Sequence, residues 1–188
     1  MSIELKIIDY NFYKQDIDHW IELKGETKYL EFVKIMEENH IEITWETLKD
    51  TYRYDKRLLV NCFKYLSFYE EFLRAQVWNI SQENYKNLES KCIIKVIEEV
   101  IHLEDKIRYK DFNLQVLKES KNYINYLRNR VMHNKIVLSS VKNKKNIKEL
   151  LVVFKNCLPE TYKNGFVSDI NKCCKELKID ERIIINMD

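Results

Sequence analysis

The chain has 188 residues, a net charge of +2, two glycines and one proline. That length suits one domain, able to bury about two-thirds of its unfolded surface. The scarcity of Gly and Pro argues against repeated hairpins and glycine-dependent phosphate loops, and favours long helices.

Residues 1–9 read as an extended arm or a short strand. Residues 11–23 read as a helix with Phe12, Ile17, Trp20 and Ile21 as its apolar positions, broken by Gly25. Residues 26–39 carry Tyr29, Leu30, Val33 and Met36 at helical spacing. Thr44 is placed to cap the helix after it. Thr47, three positions on, is neither Glu nor Gln, so the capping box is incomplete. Residues 55–79 form a long amphipathic helix with Leu59, Cys62, Phe63, Leu66, Tyr69, Leu73 and Val77 on one face.

Ser81 begins a short helix or turn, and residues 91–103 repeat Ile93, Ile94, Ile97, Val100 and Ile101. A further long helix starts at about Asp111, with Leu114, Leu117, Ile124, Leu127 and Val131 as its buried stripe. Residues 136–141 are loop or a short extended piece, and 142–146 a charged loop. Residues 147–158 are a helix stopped by Pro159. The last helix lies within 161–177, interrupted or started near Gly165, and the apolar tail at Ile183 to Ile185 is expected to pack. The sum is an all-α bundle built on two long helices.

No apolar run approaches the roughly 18 residues of a membrane span, and no signal peptide is visible, so a cytoplasmic chain without membrane contact is expected. Cys62, Cys92, Cys157, Cys173 and Cys174 lack metal-type spacing and are read as reduced thiols.

Charge is distributed unevenly. Residues 120–148 hold Lys121, Arg128, Arg130, Lys135, Lys142, Lys144, Lys145 and Lys148 and no acidic residue. That window carries +8, leaving −6 for the rest of a chain whose net charge is +2. Such local asymmetry marks either a solvated basic face or an anionic partner. Inside it lies Tyr126-Leu127-Arg128-Asn129-Arg130-Val131-Met132-His133-Asn134. Arg128 offers a planar fork of donors suited to phosphate, and His133 is of the type that titrates near neutral pH. Asn129 lies one turn before His133, on the same side of the helix. Arg128 and His133 are five positions apart, about 140° of rotation on a regular helix, and so do not share a face. Either the helix ends or distorts near Met132, or the two groups meet across a dimer. His19, His40 and His102 have no comparable setting.

Arg128-Asn129-x-x-x-His133 resembles the Arg-polar-x-x-x-His signature of the HEPN superfamily (higher eukaryotes and prokaryotes nucleotide-binding). Tyr54-Asp55-Lys56-Arg57, followed by Tyr69-Glu70-Glu71-Phe72-Leu73-Arg74-Ala75-Gln76, is similar to the first long helix of its Abi-like, abortive-infection branch. Leu158-Pro159 before a final helix also fits that branch. The similarity runs from about Tyr52 to Leu177, with residues 1–43 as an N-terminal helical extension and about 44–178 as the HEPN-like bundle.

The resemblance implies a homodimeric, metal-independent endoribonuclease that uses no cofactor, acting in phage defence or a toxin–antitoxin system. Its partners would be RNA and an antitoxin of protein or RNA. The family's Arg and His map onto Arg128 and His133, and its polar second residue onto Asn129. Glu70 and Arg74 fall at first-helix polar positions that line the same cleft. Arg130, Asn134, Lys135, Lys142, Lys144 and Lys145 are the further RNA-contacting candidates. In this chemistry His133 moves the proton, Arg128 holds the non-bridging oxygens, and the products carry 2′,3′-cyclic phosphate and 5′-hydroxyl ends. The alternatives are a non-catalytic HEPN module that binds RNA or nucleotide, and a helical protein-interaction module.

Overall fold

The helix that begins after Thr44 does not pause before Asp55 but runs unbroken as a single 36-residue element. Its start is secured by two threonines. Thr47 N–H donates to Thr44 Oγ1 at 3.2 Å, and Thr44 N–H donates to Thr47 Oγ1 at 3.0 Å. The Thr47 hydroxyl thus does the reciprocal work for which a capping box uses Glu or Gln. The computed structural model describes residues 3–109 and 113–188. In these the α-helices are α1 (Tyr10–Lys24), α2 (Glu26–Glu38), α3 (Trp45–Ile80), α4 (Gln82–Leu88), α5 (Ile93–His102), α6 (Leu114–Met132), α7 (Ile147–Cys157) and α8 (Glu160–Asn171). The described residues contain no strand, and the fold is all-α. No helix among them is long and apolar enough to cross a membrane. A helix start at Asp111 lies outside the described residues; α6 itself is capped by Asn113, whose side chain accepts from Val116 N–H at 3.1 Å.

The chain divides into two compact units. One comprises Met1–Leu58 and Lys172–Ile185, the other Leu59–Asn171 and Asn186–Asp188. In the first, Ile3–Leu5 forms a 3-10 turn rather than an extended arm or strand. Phe12 is 82% exposed although the apolar pattern assigns it to the buried face. The cause is local: Tyr13 has non-helical dihedrals (φ −106°, ψ 17°), which breaks the angular register between Phe12 and the buried Ile17. The core of this unit gathers Tyr29, Phe32, Met36, Trp45 and Leu48. Ile183 and Ile185 are buried, and the backbone N–H of Ile185 donates to Tyr54 Oη at 2.8 Å, so the tail packs.

The second unit holds the α6 stretch. Here α6 packs on α7 and α5, and α7 on α8. The buried face of α3 in this unit is Cys62, Leu66, Tyr69, Leu73 and Val77. Phe63 stands 49% exposed, a correction to the predicted stripe, since Leu66 and Tyr69 define an arc that leaves it at the solvent edge. Along α6 the buried residues are Leu117, Ser120, Ile124, Leu127 and Val131. Pro159 separates α7 from α8, holding Leu158 in extended geometry (ψ 147°). Gly165 does not interrupt α8. It admits the Tyr65 hydroxyl, which lies 2.9 Å from where a Cβ would stand. That hydroxyl donates to Asp169 at 2.9 Å, and the Tyr65 ring sits edge-on to Phe166.

Candidate nucleic-acid interface

The α6 helix ends at Met132, one residue before His133. His133 is its C-cap, with φ −93° and ψ 15°. Asn134 follows in the left-handed region at φ 51°. The Asn134 N–H donates to Val131 O at 3.1 Å, and the Lys135 N–H reaches back to Arg130 O at 2.9 Å. These two bonds form a Schellman motif, with Asn in the place glycine usually takes. Asn tolerates that conformation better than other side chains bearing a Cβ. The motif lifts His133 off the helix face, and its side chain is exposed.

Arg128 leaves α6 on another side. It is half-buried, and its Nε lies 3.9 Å from Glu70 Oε2 on α3. Nε itself is buried without a hydrogen-bond partner, while Nη1 makes a long 3.5 Å contact to Asn129 Oδ1. Glu70 is shared, because its Oε1 accepts from Arg74 Nη2 at 2.8 Å. Arg74 spends its other contacts on main-chain carbonyls, at 2.6 Å to Leu88 O and 2.8 Å to Lys91 O. The first ends α4 and also accepts from Lys91 N–H at 2.9 Å, and the second lies in the connector to α5. The structure therefore brings Glu70, Arg74 and Arg128 together as one ion-pair group, and places His133 at the exposed helix end.

The basic window separates into two classes. Lys121 lies 3.7 Å from Glu98, and Arg128 is paired with Glu70. Arg130, Lys135, Lys142, Lys144, Lys145 and Lys148 form no ion pair among the described residues. Arg130 instead staples the following loop, donating through Nη2 to Ile136 O and, at 2.8 Å, to Ser139 Oγ. The turn at 142–145 is closed by reciprocal bonds between Lys142 and Lys145, at 2.9 and 3.0 Å. Asn143 and Lys144 within it are left-handed, at φ 52° and 67°. The turn lies over two tyrosines of α6: Lys142 Nζ is 5.8 Å from the Tyr126 ring centre and Lys145 Nζ 5.7 Å from that of Tyr123. Both fit cation–π contacts.

Between turn and helix opens a cleft of about 380 Å³. One wall is the outer face of α6, with Asn122, Asn125, Tyr126 and Asn129. The other carries Lys135, Lys142 and Asn143, with Arg130 at the base of the staple. No carboxylate lines it, and neither does Arg128 or His133. Asn122, Asn125 and Asn143 are not among the sequence-predicted site residues. The signal for them is the spacing of Asn122, Asn125 and Asn129, which puts three amides on one helical face. Lys144 lies in the same turn but does not line the cleft. Among the described residues, no three His, Cys, Asp or Glu side chains are grouped as metal ligands would be.

No protein-family model matches the sequence, and no curated protein or solved structure matches it.

Proposed function

We propose that this chain is a HEPN-type endoribonuclease of the Abi-like kind, an abortive-infection or toxin effector that cleaves RNA without a metal ion. The observation that carries the reading is an exposed histidine at the α6 C-terminus, in the same 120–148 stretch as six cations that form no ion pair among the described residues. Cations without protein counter-charges are available to phosphate, and their attraction to a polyanion is gained through counter-ion release. His133 is open to solvent at the helix end, two residues before Lys135, where a ribose 2′-hydroxyl can reach it. Such proton transfer is worth about 10²–10⁴-fold. Arg128 would hold the non-bridging oxygens after exchanging part of its contact with Glu70 for phosphate. Because Arg128 and His133 leave α6 in different directions, a homodimer that sets the α6 ends of two copies face to face is part of this reading.

A second reading has its own support. Arg128 is already paired with Glu70, and the amide-lined cleft contains neither member of the Arg–His pair. A non-catalytic module that binds RNA or nucleotide would need only the cleft and its cations.

The experiment is incubation of labelled single-stranded RNA with the protein in EDTA, beside His133→Ala and Arg128→Ala. Cleavage to 2′,3′-cyclic phosphate ends, lost in both variants, is the expected result. Salt-sensitive binding without cleavage by the unaltered protein selects the second reading instead.

A further inference from the structure

We propose that the cleft between α6 and the 142–145 turn is a base-reading subsite for single-stranded RNA, selecting adenine through the amides of Asn122, Asn125 and Asn129. Lys135 and Lys142 hold the flanking phosphates. This deepens the reading of the chain as an RNA-binding protein and rests on it.

The amides come first. Asn122 and Asn125 form no side-chain hydrogen bond with any described residue, and Asn129 engages only its Oδ1, in a 3.5 Å contact. Each amide therefore presents a donor, and two also present an acceptor, toward the cleft. A carboxamide matches the adjacent N6 amino donor and N7 acceptor of adenine in a bidentate pair. Adenine exposes two such edges in a single strand, N6–H with N1 and N6–H with N7, and so can engage two amides at once. Cytosine offers one such pair, N4–H with N3, and uracil has a single N–H donor, N3–H, so each finds less. Guanine is read above all by an arginine fork, and the only arginine in the wall donates to Ile136 O and Ser139 Oγ.

Size and spacing agree. A cleft of about 380 Å³ is at the small end of ligand sites, fit for an unstacked base rather than a duplex. The base edges in an A-form major groove are out of reach of side chains, whereas splayed single-stranded bases expose theirs. From Asn122 to Asn129 the helix rises by about 10 Å, so the three amides can meet more than one base.

The turn supplies the opposing wall at a conformational cost. A lysine in the left-handed region is disfavoured by about 1 kcal/mol or more, yet Lys144 adopts it at φ 67°, next to Asn143 at 52°. The contacts of Lys142 and Lys145 with the two tyrosines hold the turn in place. Strain kept in the wall of a cleft is typical of ligand sites.

The test is fluorescence anisotropy with 2′-O-methyl homopolymers of A, C and U, which lack the nucleophilic 2′-hydroxyl and so report binding alone. The unaltered protein should prefer the adenine strand by roughly tenfold or more. Asn122→Ala/Asn125→Ala should remove that preference without changing the salt dependence, and alanine keeps α6 helical. Lys135→Gln, which leaves the turn's tyrosine contacts intact, should weaken all three strands alike and reduce the salt slope by about 0.7. Equal affinity for the three strands, no binding to any, or a preference that survives the double alanine variant overturns the subsite. Cleavage of ordinary RNA is scored separately. Cleavage without adenine preference ends this inference alone, and adenine preference without cleavage ends only the ribonuclease reading.

Discussion

Glu70 divides its carboxylate between two arginines: Oε1 accepts from Arg74 at 2.8 Å, and Oε2 lies 3.9 Å from Arg128 Nε. Both guanidinium groups are substantially buried, with side-chain exposures of 17% and 26%. Glu70→Ala therefore leaves two cations close together without their shared counter-charge. A loss of about 1–3 kcal/mol is expected, because breaking one partner of such a group costs more than the pair itself is worth. Chemical denaturation measures it. A stability change within a few tenths of a kcal/mol would show that the group is a solvated surface pair.

The Schellman end of α6 depends on one residue in the left-handed region. Asn134→Ala should destabilise the chain by about 1 kcal/mol, and Asn134→Gly by much less, since glycine carries no Cβ penalty there. Thermal melts of the two variants read the difference. Equal destabilisation would assign the role of Asn134 to its side-chain contacts rather than to its backbone.

Gly165 and Tyr65 make a coupled pair. A methyl group at 165 meets the Tyr65 hydroxyl at 2.9 Å, and that hydroxyl is held by Asp169 within a buried ring cluster. Gly165→Ala alone should cost about 1–3 kcal/mol through overpacking. In a Tyr65→Phe background the clash is gone, and the same change should stabilise α8 by about 0.5–1 kcal/mol through helix propensity. A double-mutant cycle checks the reversal of sign. Additive effects would mean that the two residues do not touch.

Stability should fall in alkali. Burial pushes the Cys157 thiol up to about 11, with the Ser120 hydroxyl pulling the other way. In the unfolded chain such a thiol titrates near about 8.5. Between those values the unfolded chain releases a proton that the folded chain keeps, so stability is whole below about 8.5 and declines as pH rises toward 11. Burial also pushes the Tyr29 phenol up to about 12, adding to the loss from about 10 upward. Lys56 acts oppositely. Burial and the neighbouring Lys28 lower it to about 8, so it adds stability between about 8 and 10.4. Between about pH 8 and 10 the Lys56 gain and the Cys157 loss nearly cancel, and above about 10 the raised phenols of Tyr29, Tyr52 and Tyr65 tip the balance to a decline. Melting temperatures should stay nearly level from about pH 7.5 to 10 and fall above it, and Cys157→Ser should turn the level part into a rise. A Cys157→Ser profile that matches the unaltered protein would refute the assignment.

Much of the helical order was legible in the residues themselves. Apolar spacing located α2, α5, α7 and the cores of α3 and α6, because a buried stripe every three or four residues is a local property of the chain. Pro159 marked the break between α7 and α8 for the same reason. The acid-free charge of residues 120–148 and the Arg128–His133 spacing were equally plain. What the chain order could not convey was which of those cations has a counter-charge. Glu70 is 58 positions from Arg128, yet it is the carboxylate that meets it. Lys142 and Lys145 lie over Tyr126 and Tyr123 only because a left-handed turn folds them back. Periodicity records what each helix turns inward. Ion pairing, cation–π contact and the walls of a cleft depend on which outward faces meet, and only the packed chain decides that.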